Sequence, residues 1–377
     1  MAAVTVSEVY DAVLTTTLRY MANDLADNIT RGNKYSRYLA ARGRVRQVDG
    51  GERIQIPLMY GFNNTADLYK GYGMVNTQPQ DGITSAFFEW DQAAVSISIS
   101  GKEEMQNRSR QAILDLMEAK MTQAKESGSN LMNNCLVMGR LSSGATGNRN
   151  QFVARVGKID NSAAGPLPLP ALVDSNATRS VAIGSINGSS EAWWRNQSLA
   201  FTGATYAAYK TYKNRLYNNC SKGIFGNPDL ILSDQLVWEL YFSGLASQER
   251  YIVDRQRQID VLGGPDDEGL MFRGAVHIWD EVEPDVGTST ATKETEAGLG
   301  DGVGTVDVAG TSGTEFHLNS KALELIVHTQ RNWTPTPWVK PANGDSRTAL
   351  LLWMGAQVVN NRRKNGVMYD IDTSIAA

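Results

Sequence analysis

The sequence predicts an α+β protein built from a long β-hairpin, a long helix and a second mixed lobe. Three observations carry that expectation. Ile54, Ile56, Leu58 and Tyr60 alternate with Arg53, Gln55, Pro57 and Met59, and Val95, Ile97 and Ile99 alternate with Ser96, Ser98 and Ser100. Both are patterns of half-buried strands, because side chains on a strand point to opposite faces in turn. After Ser100 the apolar period changes to three and four, through Met105, Ala112, Ile113, Leu116, Met117, Met121, Ala124, Leu131, Met132, Cys135 and Leu136. That is the spacing of one helical face. Beyond residue 200, short helical and strand patterns follow one another within a few residues.

The first segment, Val6 to Ile29, has an oily face at Val6, Val9, Val13, Leu14, Leu18, Met21, Leu25 and Ile29. It reads as a core helix or as an arm that docks on a neighbour. The two alternating segments are read as one hairpin, with an irregular tip from Gly61 to Gly82. Pro57 marks an edge or a bulge, since proline donates no ladder hydrogen bond. An isolated two-stranded ribbon is marginal in water, so this one must lie on its own body or on another copy. Ser100-Gly101-Lys102-Glu103 has the form of a capping box. The helix it starts is expected over 101–138, about 57 Å at 1.5 Å per residue, with Gly139 as its stop. Ser127-Gly128-Ser129 is the expected point for a bend.

Residues 140 to 200 read as loops and short strands. Thr205 to Tyr217 reads as a Tyr-rich helix and Leu230-Ile231-Leu232 as a buried strand. Ser233 is expected to cap a helix running through Trp238 and Tyr241 to Gly244. Ala275 to Trp279 is a strand, 286 to 314 a solvent-facing loop, and Phe316 to Val327 a single strand. Ala349 to Val359 and Val367 to Ile371 close the chain.

The bulk composition excludes several classes. The 377 residues imply two lobes, or one body with extensions. Apolar residues make up 42%, enough for a globular core and too few for a membrane protein. The net charge of −4 argues against a protein that grips nucleic acid through its phosphates. Arg362-Arg363-Lys364 is read as the densest basic cluster and as a solvated turn. Cys135 and Cys220 offer neither a disulfide framework nor metal-ligand spacing, and Cys135 is expected to be a buried thiol. Met1-Ala2-Ala3-Val4-Thr5 begins no signal peptide, and the apolar run Ala349 to Val359 is too short to cross a bilayer.

No catalytic, cofactor or metal site is expected. Gly298 to Gly304 is glycine-rich, but no strand leads in, no helix follows, and no P-loop lysine is present. His277, His317 and His328 fall in strand-like runs without a ligand pattern and are read as structural. Asp280, Glu281, Glu283 and Asp285 lack the spacing of a calcium loop and read as a solvated acidic turn. There is no nucleophile elbow and no Cys-His motif.

The order of arm, hairpin, long helix, mixed lobe and returning strand resembles the major capsid proteins of tailed phages, the Hong Kong 97 type fold. Val48-Asp49-Gly50-Gly51-Glu52-Arg53-Ile54 followed by Pro57-Leu58-Met59-Tyr60-Gly61 is similar to the start of the extended loop in one branch of that family. Ala192-Trp193-Trp194-Arg195-Asn196, Phe272-Arg273-Gly274-Ala275, Phe316-His317-Leu318-Asn319 and Asn360-Asn361-Arg362-Arg363 resemble later segments in the same order. The resemblance implies an N-terminal arm over 1–45, an extended hairpin loop over 46–98, and a peripheral domain over 99–194 with a spine helix at 101–138 and an insertion at 141–194. It further implies an axial domain over 195–314, a peripheral return strand over 315–345, and a C-terminal axial part over 346–377.

The function it implies is a shell subunit that assembles as pentamers and hexamers around double-stranded DNA without binding it specifically. The location implied is the virion capsid, assembled in the host bacterial cytoplasm, with no membrane partner. A separate scaffolding protein, a portal and a decoration protein are the other expected partners. An encapsulin-like compartment shell and a soluble α/β enzyme with a hairpin lid are the alternatives. At the hairpin tip, Asn63, Asn64, Lys70 and Tyr72 are the expected inter-subunit contacts. Some relatives join a loop lysine to an asparagine of the next subunit with a glutamate as base. Lys70 is the one lysine in the hairpin, yet an exposed lysine is almost fully charged at neutral pH. A noncovalent shell is therefore expected, with no large N-terminal cleavage.

Overall fold

A computed structural model of the chain describes residues 34–74, 76–106, 110–137, 167, 169–174, 182–223, 226–246, 270–280, 312–340 and 344–375. The helix expected from Val6 to Ile29 lies outside the described residues, as do most of the 140–200 loop and nearly all of the 286–314 loop. In chain order the elements are α1 (Lys34–Ala41), β1 (Val45–Val48), β2 (Ile54–Met59), β3 (Ile83–Phe88), β4 (Asp91–Ser100), α2 (Gly101–Gln106) and α3 (Arg110–Val137). Then come α4 (Leu169–Leu172), β5 (Ala182–Ile183), β6 (Ile186–Asn187), β7 (Gln197–Ala200), α5 (Tyr206–Ser221), β8 (Leu230–Ser233) and α6 (Gln235–Ala246). The chain closes with β9 (Leu270–Phe272), β10 (Ala275–Trp279), β11 (Ser312–Leu318), β12 (Leu323–His328), β13 (Thr334–Pro335), β14 (Ser346–Val359) and β15 (Gly366–Asp372).

The chain divides into two compact units. The larger comprises the described residues of Gly32–Gln92, Met132–Gln330 and Met354–Ala377. Its main sheet has the order β7-β15-β11-β8-β10-β9. Helices α5 and α6 bury Tyr209, Leu216, Val237, Leu240 and Tyr241 against Met368 and Ile371 of β15. Gly366 permits this close approach, since a Cβ there would collide with Cys220 and Leu216 of α5. Thr205 caps α5 by accepting from the Ala208 amide at 3.3 Å. Arg273 and Gly274 both have positive φ, +50° and +90°, and join β9 to β10 as the two-residue turn that suits the right-handed strand twist.

In the same unit, α1 buries Tyr35, Tyr38 and Leu39 on one face. It ends in a Schellman motif: Arg44 N–H donates to Leu39 O, Gly43 N–H donates to Ala40 O, both at 2.9 Å, and Gly43 has φ +63°. Strand β1 then runs parallel to β12, which pairs antiparallel with the second half of β14. Strands β2 and β3 form a ribbon in unbroken register from Ile54↔Phe88 to Met59↔Ile83. Ile54, Ile56 and Leu58 are buried on one face, while Gln55, Pro57 and Met59 are exposed. The ribbon rests on the β5–β6 turn, where Phe87 N–H donates to Gly184 O at 3.0 Å.

The smaller unit comprises the described residues of Ala93–Leu131 and Arg331–Trp353. Here β4 and β13 pair with β14, and Ile97, Ala124 and Leu351 form a core with Val95, Met121, Trp333 and Trp338 packed on it. The capping box at Ser100 is reciprocal: Glu103 N–H donates to Ser100 Oγ at 3.3 Å, and Ser100 N–H to Glu103 Oε2 at 3.1 Å.

Several expectations are corrected. The hairpin partner of Ile54–Met59 is Ile83–Phe88, not the Val95 strand, which belongs to the smaller unit. Ile83–Phe88 lacks clean alternation and so gave no strand signal, but the nearest segment able to return closes the shorter loop. The long helix is described as α2 and α3, with 107–109 between them outside the described residues. Helix α3 runs unbroken through Ser127-Gly128-Ser129. The small residue there serves packing, because a Cβ on Gly128 would lie 2.8 Å from the Trp333 ring. The strand expected from Phe316 to Val327 is two strands, β11 and β12, in different sheets. Asn319 makes the corner: its amide N–H donates to Asn365 Oδ1 and its side chain to Asn227 O. Ser233 does not cap α6, for it ends β8 fully buried, with its hydroxyl donating to Asp234 O. Cys135 is half-buried, and Cys220 is the fully buried thiol, pushed up to about 12 by burial.

Candidate assembly surface

The β2–β3 ribbon ends where Tyr60 N–H donates to Gly82 O at 2.9 Å. Beyond it the tip is shaped by short local bonds. Asn63 Oδ1 accepts from Thr65 N–H at 2.9 Å and from Thr65 Oγ1 at 2.6 Å. Asp67 accepts from the Leu68 amide, Asn76 from the Gln78 amide, and Gly73 N–H donates to Lys70 O at 3.2 Å. The amide bonds accepted by Asn63, Asp67 and Asn76 are of the local side-chain-to-backbone kind that Asn and Asp favour, while the Gly73–Lys70 bond closes a backbone turn. They set the course of the loop without burying anything.

The apolar side chains of the tip are consequently bare. Phe62 is 92% exposed, Leu68 98%, Tyr72 107% and Met74 101%. Met59 and Ile83, on the solvent face of the ribbon, are 79% and 74% exposed. Large apolar side chains exposed along one loop fit a surface that another molecule covers. Covering one such side chain releases about 1.5–3 kcal/mol. At its root the tip is oriented by Tyr60, whose ring stacks on Trp193 at 5.3 Å with an interplanar angle of 24°. Trp193 Nε1 donates to Glu191, while Trp194 turns inward, fully buried, and donates to Ile183 O.

The expected contact residues Asn63, Asn64, Lys70 and Tyr72 all lie on this tip and all are exposed. Asn63 spends its acceptor on Thr65. Among the described residues, Lys70 lies within 4 Å of no carboxylate oxygen. Sequence reasoning missed Phe62, Leu68 and Met74. They stand six residues apart in a segment with neither helical nor strand period. Their surroundings are the signal, since single apolar residues set among Gly, Asn, Asp and Thr have no apolar neighbours with which to build a core.

Arg362-Arg363-Lys364, expected to be solvated, is a short 3-10 turn with Arg362 and Lys364 buried. Arg362 donates through Nε to Leu172 O at 2.9 Å and through Nη2 to Asn196 Oδ1 at 3.2 Å, with Trp194 O and Ala171 O each at 3.4 Å. Burial lowers its pKa to about 10. Asp280 is buried rather than solvated, and Asn133 Nδ2 donates to it at 3.3 Å. His328 lies edge-on to Trp90 and accepts from the Gln330 amide. Among the described residues no group of three or more His, Cys, Asp or Glu could hold a metal, and no helix is long and apolar enough to cross a membrane.

The fold, with its β2–β3 ribbon, its helix-bearing unit and its six-stranded mixed sheet, is like that of tailed-phage capsid proteins. The likeness is measurable against solved structures. The cyanophage A-1(L) capsid asymmetric unit superposes with a TM-score of 0.60 at 15% identity, over 94% of this chain and 97% of that one. Structures from Gordonia phage Cozz and Mycobacterium phage Adephagia each match with a TM-score of 0.50 at 13% identity, over 100% and 97% of this chain and 97% and 98% of theirs. No protein-family model and no curated protein sequence matches the chain.

Proposed function

We propose that this chain is a major capsid protein, a structural subunit and not an enzyme. Pentamers and hexamers of it close an icosahedral shell around double-stranded phage DNA. The observation that carries the reading is the bare apolar tip, with Phe62, Leu68, Tyr72 and Met74 all more than nine-tenths exposed, on a fold of the capsid type. A lone enzyme gains nothing from such a surface. A shell supplies an identical neighbour to cover it at every position, and repeated weak contacts sum to a durable closed object. In this reading the β2–β3 ribbon with its tip is the extended loop, the six-stranded sheet with α5 and α6 meets its copies at the symmetry axes, and the unit of 93–131 and 331–353 belongs to the peripheral domain. The N-terminal 1–45 is the arm. A separate scaffolding protein, a portal and a decoration protein complete the particle, which is built in the host bacterial cytoplasm and becomes the virion capsid.

The test replaces residues 61–81 with an Asn-Gly turn, which joins the opposed Tyr60 and Gly82 without strain. The variant remains a folded subunit by circular dichroism and forms no closed particles by electron microscopy. Normal particles from it would refute the proposal.

A further inference from the structure

The core of the six-stranded sheet holds a charged network that no assembly contact explains. Lys213 of α5, His277 of β10, and Glu315 and His317 of β11 are each fully buried. Lys213 Nζ lies 3.1 Å from Glu315 Oε1, 3.2 Å from His277 Nδ1 and 3.3 Å from the Tyr209 hydroxyl. Tyr209 donates to Glu315 Oε2 at 2.7 Å, and His317 Nε2 is 2.7 Å from Glu315 Oε1. His277 Nε2 is 2.8 Å from Ser233 Oγ, which itself donates to Asp234 O. The rings of Tyr241 and Phe272 face the ammonium at 4.0 and 5.2 Å.

These contacts fix the protonation of each member. An ammonium has three protons, and here they point at Glu315, His277 and Tyr209. His277 Nδ1 is therefore an acceptor, and its proton sits on Nε2 toward Ser233. His317 must donate through Nε2 to the carboxylate, which leaves Nδ1 bare, and that atom is buried without a partner. The network balances with one cation, one anion and two neutral imidazoles. A proton on His277 would set a second cation 3.2 Å from Lys213. A proton on His317 would bury an N–H with no acceptor. No further acid among the described groups facing the network offsets either: α5 contributes Tyr206 and Tyr217, α6 contributes Tyr241, and β8 contributes Ser233.

We infer that Lys213, Glu315, His277 and His317 form an acid-sensitive latch that fastens α5 to the sheet, closed only while both imidazoles are neutral. Burial holds both histidines below the usual imidazole range, whereas in an opened or unfolded chain they titrate near 6.5. The open state alone then gains protons as pH falls. Between pH 8 and pH 5 a histidine that stays neutral in the closed state lowers the closed-to-open ratio by at most about 30-fold, and two such histidines by at most about a thousandfold. Glu315 adds little in that window, because its unfolded pKa is about 4.5.

Hydrogen exchange of the full-length subunit, read on the amides of Tyr206–Ser221 and corrected for intrinsic rates, tests this. In the wild type, protection falls by up to about a thousandfold between pH 8 and pH 5, with onset near pH 6.5. His317→Gln keeps a donor to Glu315 but cannot be protonated, so its loss shrinks to at most about 30-fold. His277→Gln, which keeps an acceptor for Lys213 and a donor for Ser233, behaves alike. The full wild-type loss retained by either variant that is protected like the wild type at pH 8 overturns the latch. So does a wild-type fall that begins only below pH 4.5, which assigns it to carboxylates and decides the matter even if neither variant folds.

Discussion

Arg362 shows how one residue can be misread and why its context decides. Three basic residues in a row look like a solvated turn, because a buried cation is costly unless it is paired or hydrogen-bonded. The guanidinium escapes that cost by filling its donors with the backbone carbonyls of Ala171, Leu172 and Trp194 and the Asn196 amide oxygen. Its flat fork carries five donors on three nitrogens and spans these separated acceptors, whereas a lysine ammonium has three donors on one atom and cannot reach all of them. Arg362→Lys leaves two or three of those carbonyls unsatisfied, at about 1–3 kcal/mol each. The expected loss is about 3 kcal/mol, read as a lowered urea midpoint for the larger unit. A variant within 0.5 kcal/mol of wild type, roughly the range of neutral surface changes, would show that the bonds contribute nothing.

Elements carry two further predictions. The cap at the start of α2 is electrostatic as well as geometric. Burial pushes the Glu103 carboxyl up, but the bonds from Lys120 and Ser100 outweigh it and hold the pKa below its usual value. A depressed carboxylate contributes stability above its unfolded pKa, near 4.5, and that contribution disappears as pH falls through the lower folded value. Glu103→Gln therefore destabilises the smaller unit by about 1 kcal/mol at pH 7 and is indistinguishable from wild type near pH 2, by urea unfolding at each pH. An equal penalty at both pH values would rule out the ionic contribution. In α3, Gly128→Ala gains about 1 kcal/mol in helix propensity. It also drives a methyl into the Trp333 ring, and such overpacking costs about 1–3 kcal/mol. Packing wins, and the melting temperature falls. A rise would mean that Trp333 moves aside freely.

For the whole molecule, the proposed assembly raises the question of what would hold its copies together. The tip offers large apolar surface, and Lys70, also on it, lies within 4 Å of no carboxylate oxygen among the described residues. Isopeptide formation needs a neutral amine beside a base, so apolar burial is the expected bond between copies. Boiled particles run as a single band near 41 kDa on a denaturing gel. A ladder of pentamer- and hexamer-sized bands that collapses in Lys70→Ala would establish a covalent shell instead. Replacing Phe62, Leu68, Tyr72 and Met74 by Ser tests the same point from the other side, and particle yield falls while the isolated subunit keeps its melting temperature.

The sequence by itself determined the local elements. The alternation at Ile54–Leu58 and at Val95–Ile99, the box at Ser100–Glu103, and the helix capped by Thr205 all stand where periodicity and end chemistry put them, because strand faces and helix caps depend on neighbours a few residues away. The order of those elements was enough to suggest the fold class. Only the tertiary structure decided partners. It chose Ile83–Phe88 over Val95–Ile99 for the ribbon, broke Phe316–Val327 at Asn319 between two sheets, and drew Arg362 inward. It also brought Lys213, His277, Glu315 and His317 together from segments up to 104 residues apart. Pairing and burial of charge depend on which distant groups arrive to satisfy each donor and acceptor, and no local pattern carries that information.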